Sequence, residues 1–239
     1  MKYFLKRVLT FIISIFRKDL LIDQFSEINP IKLKLLKGNP DNRIIIKKSI
    51  LSGEIVAKQG CKLSNVTCSG NVKLGSFVSL NGPGTRISSR LEGIDIGSFS
   101  SVASNVIIQE DYHRIDKVST YFMNQNIFKD DLENDIYTKG KIIIEEDVWV
   151  GSNSAILSGV KIGRGSIIGA GSVITKDIPR YSIVAGNPAT LIKKRFPEHV
   201  INKLEESNWW EYDIEEILKL KKEFNINLNE IKAEENIFR

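Results

Sequence analysis

A six-residue repeat constrains this chain more than any other feature. Stepping by six from Ile144 lands on Val150, Ile156, Ile162, Ile168 and Ile174, all β-branched aliphatics. The residue after each is Glu145, Gly151, Leu157, Gly163, Gly169 and Thr175. Four places on lie Val148, Ser154, Val160, Ser166, Ser172 and Ile178, small or β-branched. A second run is Ile96, Val102 and Ile108, and a third, looser one is Ile44, Ile50, Val56, Lys62 (a break), Cys68, Leu74 and Leu80. A period of six is neither helical nor a plain strand alternation. It suits short strands separated by turns, with one aliphatic side chain per strand pointing inward and a glycine after it that frees the turn backbone. Stacked coils then bury a column of aliphatics, each contributing about 1.5–3 kcal/mol, and each coil completes its neighbour's core. The repeat predicts a parallel β-helix.

Composition excludes several function classes. Two cysteines, Cys61 and Cys68, cannot form a four-cysteine zinc site or a disulfide scaffold. Cys68 takes an inward position of the repeat and Cys61 lies one hexad earlier, so both read as small buried hydrophobes. Two histidines, His113 and His199, cannot build a three-histidine metal site, which sets aside a zinc enzyme of carbonic-anhydrase type. No metal is expected. A net charge of +5 fits a polyphosphate-handling enzyme. No nucleic-acid partner is expected, since the lysines form no stripe interleaved with aromatics.

Residues 4–16 are the most apolar stretch, but Val8–Phe16 is too short to span a bilayer. Arg17-Lys18-Asp19 follows in place of a small-residue cleavage site, so secretion is not expected and the location read is cytoplasmic. On a helix, Lys6, Thr10, Ser14 and Lys18 form one line beside a wide apolar face. Such a helix packs on its own domain or a neighbouring subunit, or makes a peripheral contact with the inner membrane face through residues 1–22. The expected division is an N-terminal amphipathic helical segment, 1–30, a β-helix, 31–190, and a C-terminal helical segment and tail, 191–239. Within the last, 197–222 reads as an amphipathic helix covering the end or side of the β-helix, with Val200, Leu204, Trp209, Ile214, Ile217, Leu218 and Leu220 apolar. The tail from Lys221 is charged and expected to be loose. Two glycine-rich stretches, 163–171 and 82–86, resemble nucleotide loops only by chance, because no βαβ unit surrounds them. The frame slips between Leu80 and Ile96, by a turn adjustment or an extra loop.

The hexad from Ile108 does not complete, and residues 109–140 leave the pattern until the frame returns at Ile144. A long excursion from a regular scaffold carries function or is disordered. This one holds Tyr112, Tyr121, Phe122, Phe128 and Tyr137, too aromatic for a solvated linker. It also holds His113, with Glu110, Asp111 and Asp116 nearby in sequence. An imidazole is a natural general base near neutral pH, and a carboxylate beside it could orient it. His199 sits in a polar helical stretch and receives no role.

Four segments carry a family resemblance: 96–108, 112–122 with its His-x-x-Asp and aromatic stretch, 147–196, and 203–217 with paired tryptophans. The chain resembles the hexapeptide-repeat acyltransferases, in the xenobiotic acetyltransferase branch. The resemblance implies an all-β fold, a left-handed parallel β-helix with a long loop excursion and N- and C-terminal α-helical segments. It also implies a homotrimer and acyl transfer from acetyl-CoA. His113 matches the family's general base and Trp149 its active-site tryptophan. The Ser152 backbone N–H matches the oxyanion donor. Ala170 and Thr175 match positions that contact CoA through the backbone, and Lys176, Lys193 and Lys194 match or adjoin basic positions that meet CoA phosphates. Asp116 matches a branch position and is taken as the partner of His113. Drug-acetylating members lack a basic N-terminal helix, whereas acetyltransferases of bacterial surface polysaccharide resemble this chain in build. The acceptor expected is therefore a sugar hydroxyl, with a chloramphenicol- or streptogramin-type acceptor, or a non-catalytic scaffold, as alternatives.

Overall fold

The computed structural model describes residues 17–28, 33–36 and 40–238. Short strands stack in parallel and form three inward columns. On face I, Ile22, Ile46, Leu63, Leu80, Val102, Val150, Ile168 and Val184 lie in register. Face II stacks Ile28, Leu51, Cys68, Ile87, Ile108, Ile156 and Ile174. Face III stacks Ala57, Leu74, Ile96, Ile144, Ile162 and Ile178. Successive hexads visit the faces in turn, so Ile144 belongs to III, Val150 to I, Ile156 to II and Ile162 to III again. Val150 pairs with Ile168, eighteen residues on, so three hexads close one coil. The six residues of the strongest run are all at most 1% exposed. The serines four places on fill the corners and donate to carbonyls: Ser154 to Gly169 at 3.1 Å and Ser166 to Pro179 at 2.9 Å.

Several expectations need correction. In the third run Ile44, Cys68, Leu74 and Leu80 are buried as expected, but Ile50 is 46% exposed and Lys62 points out, and Leu51, Ala57 and Leu63 take the inward places there. Side-chain direction alternates along a strand, so a one-residue shift turns the whole set outward. The glycines after the aliphatic residues are not there for a special turn backbone. Gly151 and Gly163 do not take the left-handed conformation; instead a Cβ would lie 2.7 Å from Ala170 N and 2.5 Å from Arg180 N in the next coil. The β-helix begins before residue 31, since Leu20–Ile22 and Glu27–Ile28 are strands of its first coil. The helix expected ahead of them, 1–16, lies outside the described residues. Among the described residues no helix is long and apolar enough to cross a membrane.

The frame slip between Leu80 and Ile96 is an extra loop. Ser89 pairs with Gly70 and Ile94 with Val72, so four residues, 90–93, oppose one. This bulge sits at the corner between faces II and III.

The C-terminal helix is broken rather than continuous. Glu198–Ser207 is helical, Asn208 turns left-handed at φ 48°, and a second helix follows at Ile214–Lys219. The segment covers a side of the prism, the corner between faces III and I, where Phe77 and Phe99 stack at 5.4 Å. Trp209 lies on Phe99 at 5.2 Å, and Phe224 meets Trp209 edge-on. The tail is anchored, with Ile231 and Ile237 buried. Leu218, expected on the apolar face, is 70% exposed, because the helix break rotates it outward.

Charges finish the docking. Arg164 lies 3.5 Å over the Trp210 ring and bonds Glu146 and Glu205. Arg180 joins Glu205 to Glu145. Burial would raise the Glu145 carboxyl, but hydrogen bonds from Arg180, Lys161 and the Arg164 N–H outweigh it and bring the group down to about 2, from an ordinary 4.5. A depressed acid stabilises the fold above its unfolded value and loses that contribution as pH falls through the folded one. About 2–3 kcal/mol should therefore vanish between pH 4.5 and 2. Thermal unfolding followed across that window should show the loss, and Glu145→Gln should flatten it. Equal slopes for both proteins would refute the assignment.

Candidate active site

After Ile107–Gln109 the chain leaves face II and forms a two-stranded ribbon, Asp111–His113 antiparallel to Ile136–Thr138. The ribbon roots at the corner between faces II and III. There the Ser158 N–H donates to the Tyr112 hydroxyl at 3.0 Å, and the Thr138 and Ser158 hydroxyls lie 3.0 Å apart. The Asp135 carboxylate accepts the N–H groups of Asn124 and Gln125, fixing the turn at Asn124–Phe128. The rigid root explains why so polar an excursion holds a definite shape.

His113 is exposed on this ribbon, and its Nδ1 lies 2.7 Å from the Thr120 carbonyl oxygen. A carbonyl can only accept, so Nδ1 carries a proton, and in the neutral ring the lone pair falls on Nε2. Nε2 has no protein partner among the described residues. The ring stacks on Phe122 with centroids 4.2 Å apart. Asp116 is not its partner: the Asp116 carboxylate takes the Arg114 guanidinium at 2.9 Å, which lowers its pKa. The backbone carbonyl does the orienting instead.

The other candidates fall into two groups. Trp149 points outward from face I, 55% exposed. It borders a 300 Å³ pocket with Phe99, Ser101, Ile167 and the Asp147–Arg195 ion pair, closed at 2.8 Å. Ser152 and Ala170 lie one coil apart at the corner between faces I and II, after Val150 and Ile168. The Ser152 carbonyl accepts from Gly171, while its N–H has no acceptor among the described residues. Lys193 and Lys194 are exposed on the strand Ala189–Lys194, which closes the sheet of face I. Lys194 also donates to the Arg180 carbonyl at 2.8 Å. Thr175 and Lys176 are exposed at the corner between faces II and III, two coils beyond the ribbon. In a three-sided prism that corner is opposite face I. A single chain therefore keeps the His113 ribbon away from Trp149 on face I.

The family model "Bacterial transferase hexapeptide (six repeats)" matches residues 141–176. A probable macrolide acetyltransferase of Lysinibacillus sphaericus is 42% identical over 130 residues, 51% of this chain and 71% of that protein. The chain belongs to the hexapeptide-repeat acetyltransferase family, in its xenobiotic branch. The coil is the left-handed β-helix of that family. A chloramphenicol acetyltransferase of Klebsiella aerogenes is 41% identical over 130 residues, 51% of this chain and 61% of that protein. The chain thus spans about three fifths of the first curated relatives it matches. The solved polySia specific acetyltransferase NeuO is 22% identical, covering 74% of this chain and 76% of that one, with a TM-score of 0.48.

Within this hexapeptide-repeat fold the cysteines are inert. Both are free and buried, and burial pushes the Cys61 thiol up to about 11 and the Cys68 thiol to about 12. His199 is structural, with Nε2 3.1 Å from the Ile231 carbonyl. Among the described residues no group of acids, histidines and cysteines gathers for a metal. Sequence reasoning missed Thr120, whose backbone carbonyl leaves no residue-type signal. It also missed Arg90, which arrives from the extra loop. Asp111 had a signal, since a residue two before His113 on a strand shares its face.

Proposed function

We propose that the protein transfers the acetyl group of acetyl-CoA to a hydroxyl of a sugar in a bacterial surface glycan or its precursor, with His113 as general base. The observation that carries this is the His113–Thr120 hydrogen bond, which leaves Nε2 able to take a proton. As the acceptor oxygen attacks the thioester carbon, its proton moves to Nε2. The tetrahedral oxyanion needs a preorganised donor, and the unengaged Ser152 N–H suits that task. Collapse breaks the carbon–sulfur bond, and the proton on Nε2 passes to the departing thiolate. Because the His113 ribbon roots at the corner opposite face I, which carries Trp149, a site that uses both needs two copies, His113 from one and Trp149, Ser152 and Ala170 from the next. A homotrimer of three-sided prisms supports that arrangement. Lys176, Lys193 and Lys194 are exposed cations suited to CoA phosphates.

The sugar acceptor rests on the basic N-terminal pattern of residues 4–18. The matched relatives favour a second reading, since their names place them on chloramphenicol and macrolides. Calorimetric titration of the purified oligomer with acetyl-CoA should give saturable binding near one site per chain. A panel of sugars and both drug classes then identifies the acceptor. A folded oligomer that ignores high-micromolar acetyl-CoA would move the scaffold reading ahead.

A further inference from the structure

The extra loop at 90–93 has a use that the repeat does not explain. Glu110 is fully buried beneath it, and its Oε2 accepts from the N–H groups of Arg90 and Leu91 at 3.1 and 3.0 Å and from the Ser89 hydroxyl at 3.2 Å. Burial opposes charge on Glu110, yet the Thr138 hydroxyl, followed by the N–H groups of Leu91, Glu92 and Arg90, holds its carboxyl below the usual carboxylate range. The loop is thereby pinned to the root of the ribbon. Pinning delivers Arg90 to two partners. Its guanidinium lies 5.9 Å from the centroid of the Phe122 ring, the ring that stacks on His113. It also pairs with Asp111 at 3.4 Å. Asp111 is 4% exposed and shares a strand face with His113, two residues on.

We propose that the Arg90–Asp111 pair positions His113 and balances its protonation, Asp111 favouring the imidazolium and Arg90 opposing it, with Phe122 as the contact that transmits Arg90 to the ring. The proposal rests on His113 being the base, and it names Arg90, Asp111 and Phe122 as positioning residues. The other charged and titratable groups around the ring are engaged elsewhere. Arg114 and Asp116 hold each other, Lys117 donates to the Asn134 carbonyl, and Asp135 caps the Asn124 turn. Tyr121 accepts from Asn126, and Tyr137 stacks on Tyr112. Glu110 stays fixed under the loop in every variant below. Changes at Arg90 or Asp111 therefore report on the pair.

The chain has just two histidines, so isotope-labelled histidine gives one reporter and one internal control in an NMR pH titration. Asp111→Asn should lower the His113 midpoint by about half to one pH unit, and Arg90→Gln should raise it by about as much. The double variant should return to within about 0.3 of the unaltered protein, because a neutral pair replaces a neutral pair. Phe122→Leu should loosen the ring, seen in the imidazole nitrogen shifts as a mixture of tautomers instead of the Nδ1–H form. His199, held by Ile231, should not move in any variant and so certifies the fold. If Asp111→Asn fails to fold, Arg90→Gln still gives the test, since that side chain is 44% exposed. Single variants that leave the His113 midpoint in place, or shift it in the same direction, would overturn the inference. No acceptor or acetyl-CoA enters the measurement. An active transferase without these shifts sinks the inference alone, and shifts in a protein that transfers nothing sink the function alone.

Discussion

His113→Ala should lower kcat by about 10²–10⁴-fold, the range ascribed to one positioned acid–base group, and leave the acetyl-CoA Kd within about twofold. The split follows from geometry. His113 stands on an exposed ribbon, with Nδ1 on the Thr120 carbonyl and Nε2 without a protein partner, so it holds up no core that the alanine would disturb. The proposed CoA-contacting residues lie elsewhere on the coil, at Ala170, Thr175 and the exposed lysines. Asp116→Ala serves as the comparison and should change kcat less than about twofold, because its carboxylate engages Arg114 at the surface. Steady-state turnover with the acceptor from the panel, together with calorimetry, reads both quantities. Unchanged turnover in His113→Ala would remove His113 as the base, and the absence of turnover in both proteins would leave a β-helix scaffold as the better account. An equal loss in Asp116→Ala would show that Asp116 bears on the base.

Gly70→Ala should be among the most damaging single changes in the coil. Gly70 stands at φ +89° where the strand Thr67–Leu74 bends from face II to face III. An added Cβ would lie 1.3 Å from the Ser89 carbonyl oxygen of the next coil. Backbone strain and a backbone clash together cost roughly 3–6 kcal/mol. Neither can relax cheaply, because Ser89 is held in register and bonds Glu110 beside the pinned loop. Gly171→Ala separates the two contributions. Its φ is +73°, but a Cβ there meets nothing within 4 Å, so only strain remains, about 1–2 kcal/mol. Urea midpoints at one protein concentration should rank the unaltered protein above Gly171→Ala and both well above Gly70→Ala. Equal losses in the two variants would mean that the close approach of neighbouring coils is unimportant. The loss at Gly70 should also reach the ribbon, since the same corner carries Arg90.

The strong hexads were legible because one six-residue frame runs unbroken through six β-branched aliphatics, from Ile144 to Ile174. Around Ile144–Ile174 one frame satisfies the pattern, and that frame is buried throughout. The earlier coils were ambiguous for a physical reason. Ile44, Ile45 and Ile46 are consecutive, as are Ile55, Val56 and Ala57, so several frames bury an aliphatic side chain equally well. Only pairing with the next coil selects Ile46 against Leu63 and Ala57 against Leu74. The glycines were placed correctly in the repeat and given the wrong reason. Contact between coils, invisible to a local turn rule, is what excludes a side chain at Gly151 and Gly163.

The candidate site divides in the same way. His113 stood out by residue type within an interrupted repeat, and Trp149 and Ser152 through the family resemblance. Their chemistry depends on neighbours that spacing does not reveal. The group that orients His113 is the backbone carbonyl of Thr120, and every residue has one. Arg90 lies far upstream and reaches Phe122 only because one coil stacks on the next and a bulge widens their corner. By itself, the sequence determined the β-helix and the columns of its later coils, and it singled out His113 as a candidate, since period and residue type are local properties. The tertiary structure alone decided which nitrogen of His113 meets the Thr120 carbonyl, the partners of the ring and its separation from Trp149. Those follow from which segments the three-sided coil brings side by side and which it holds on opposite faces.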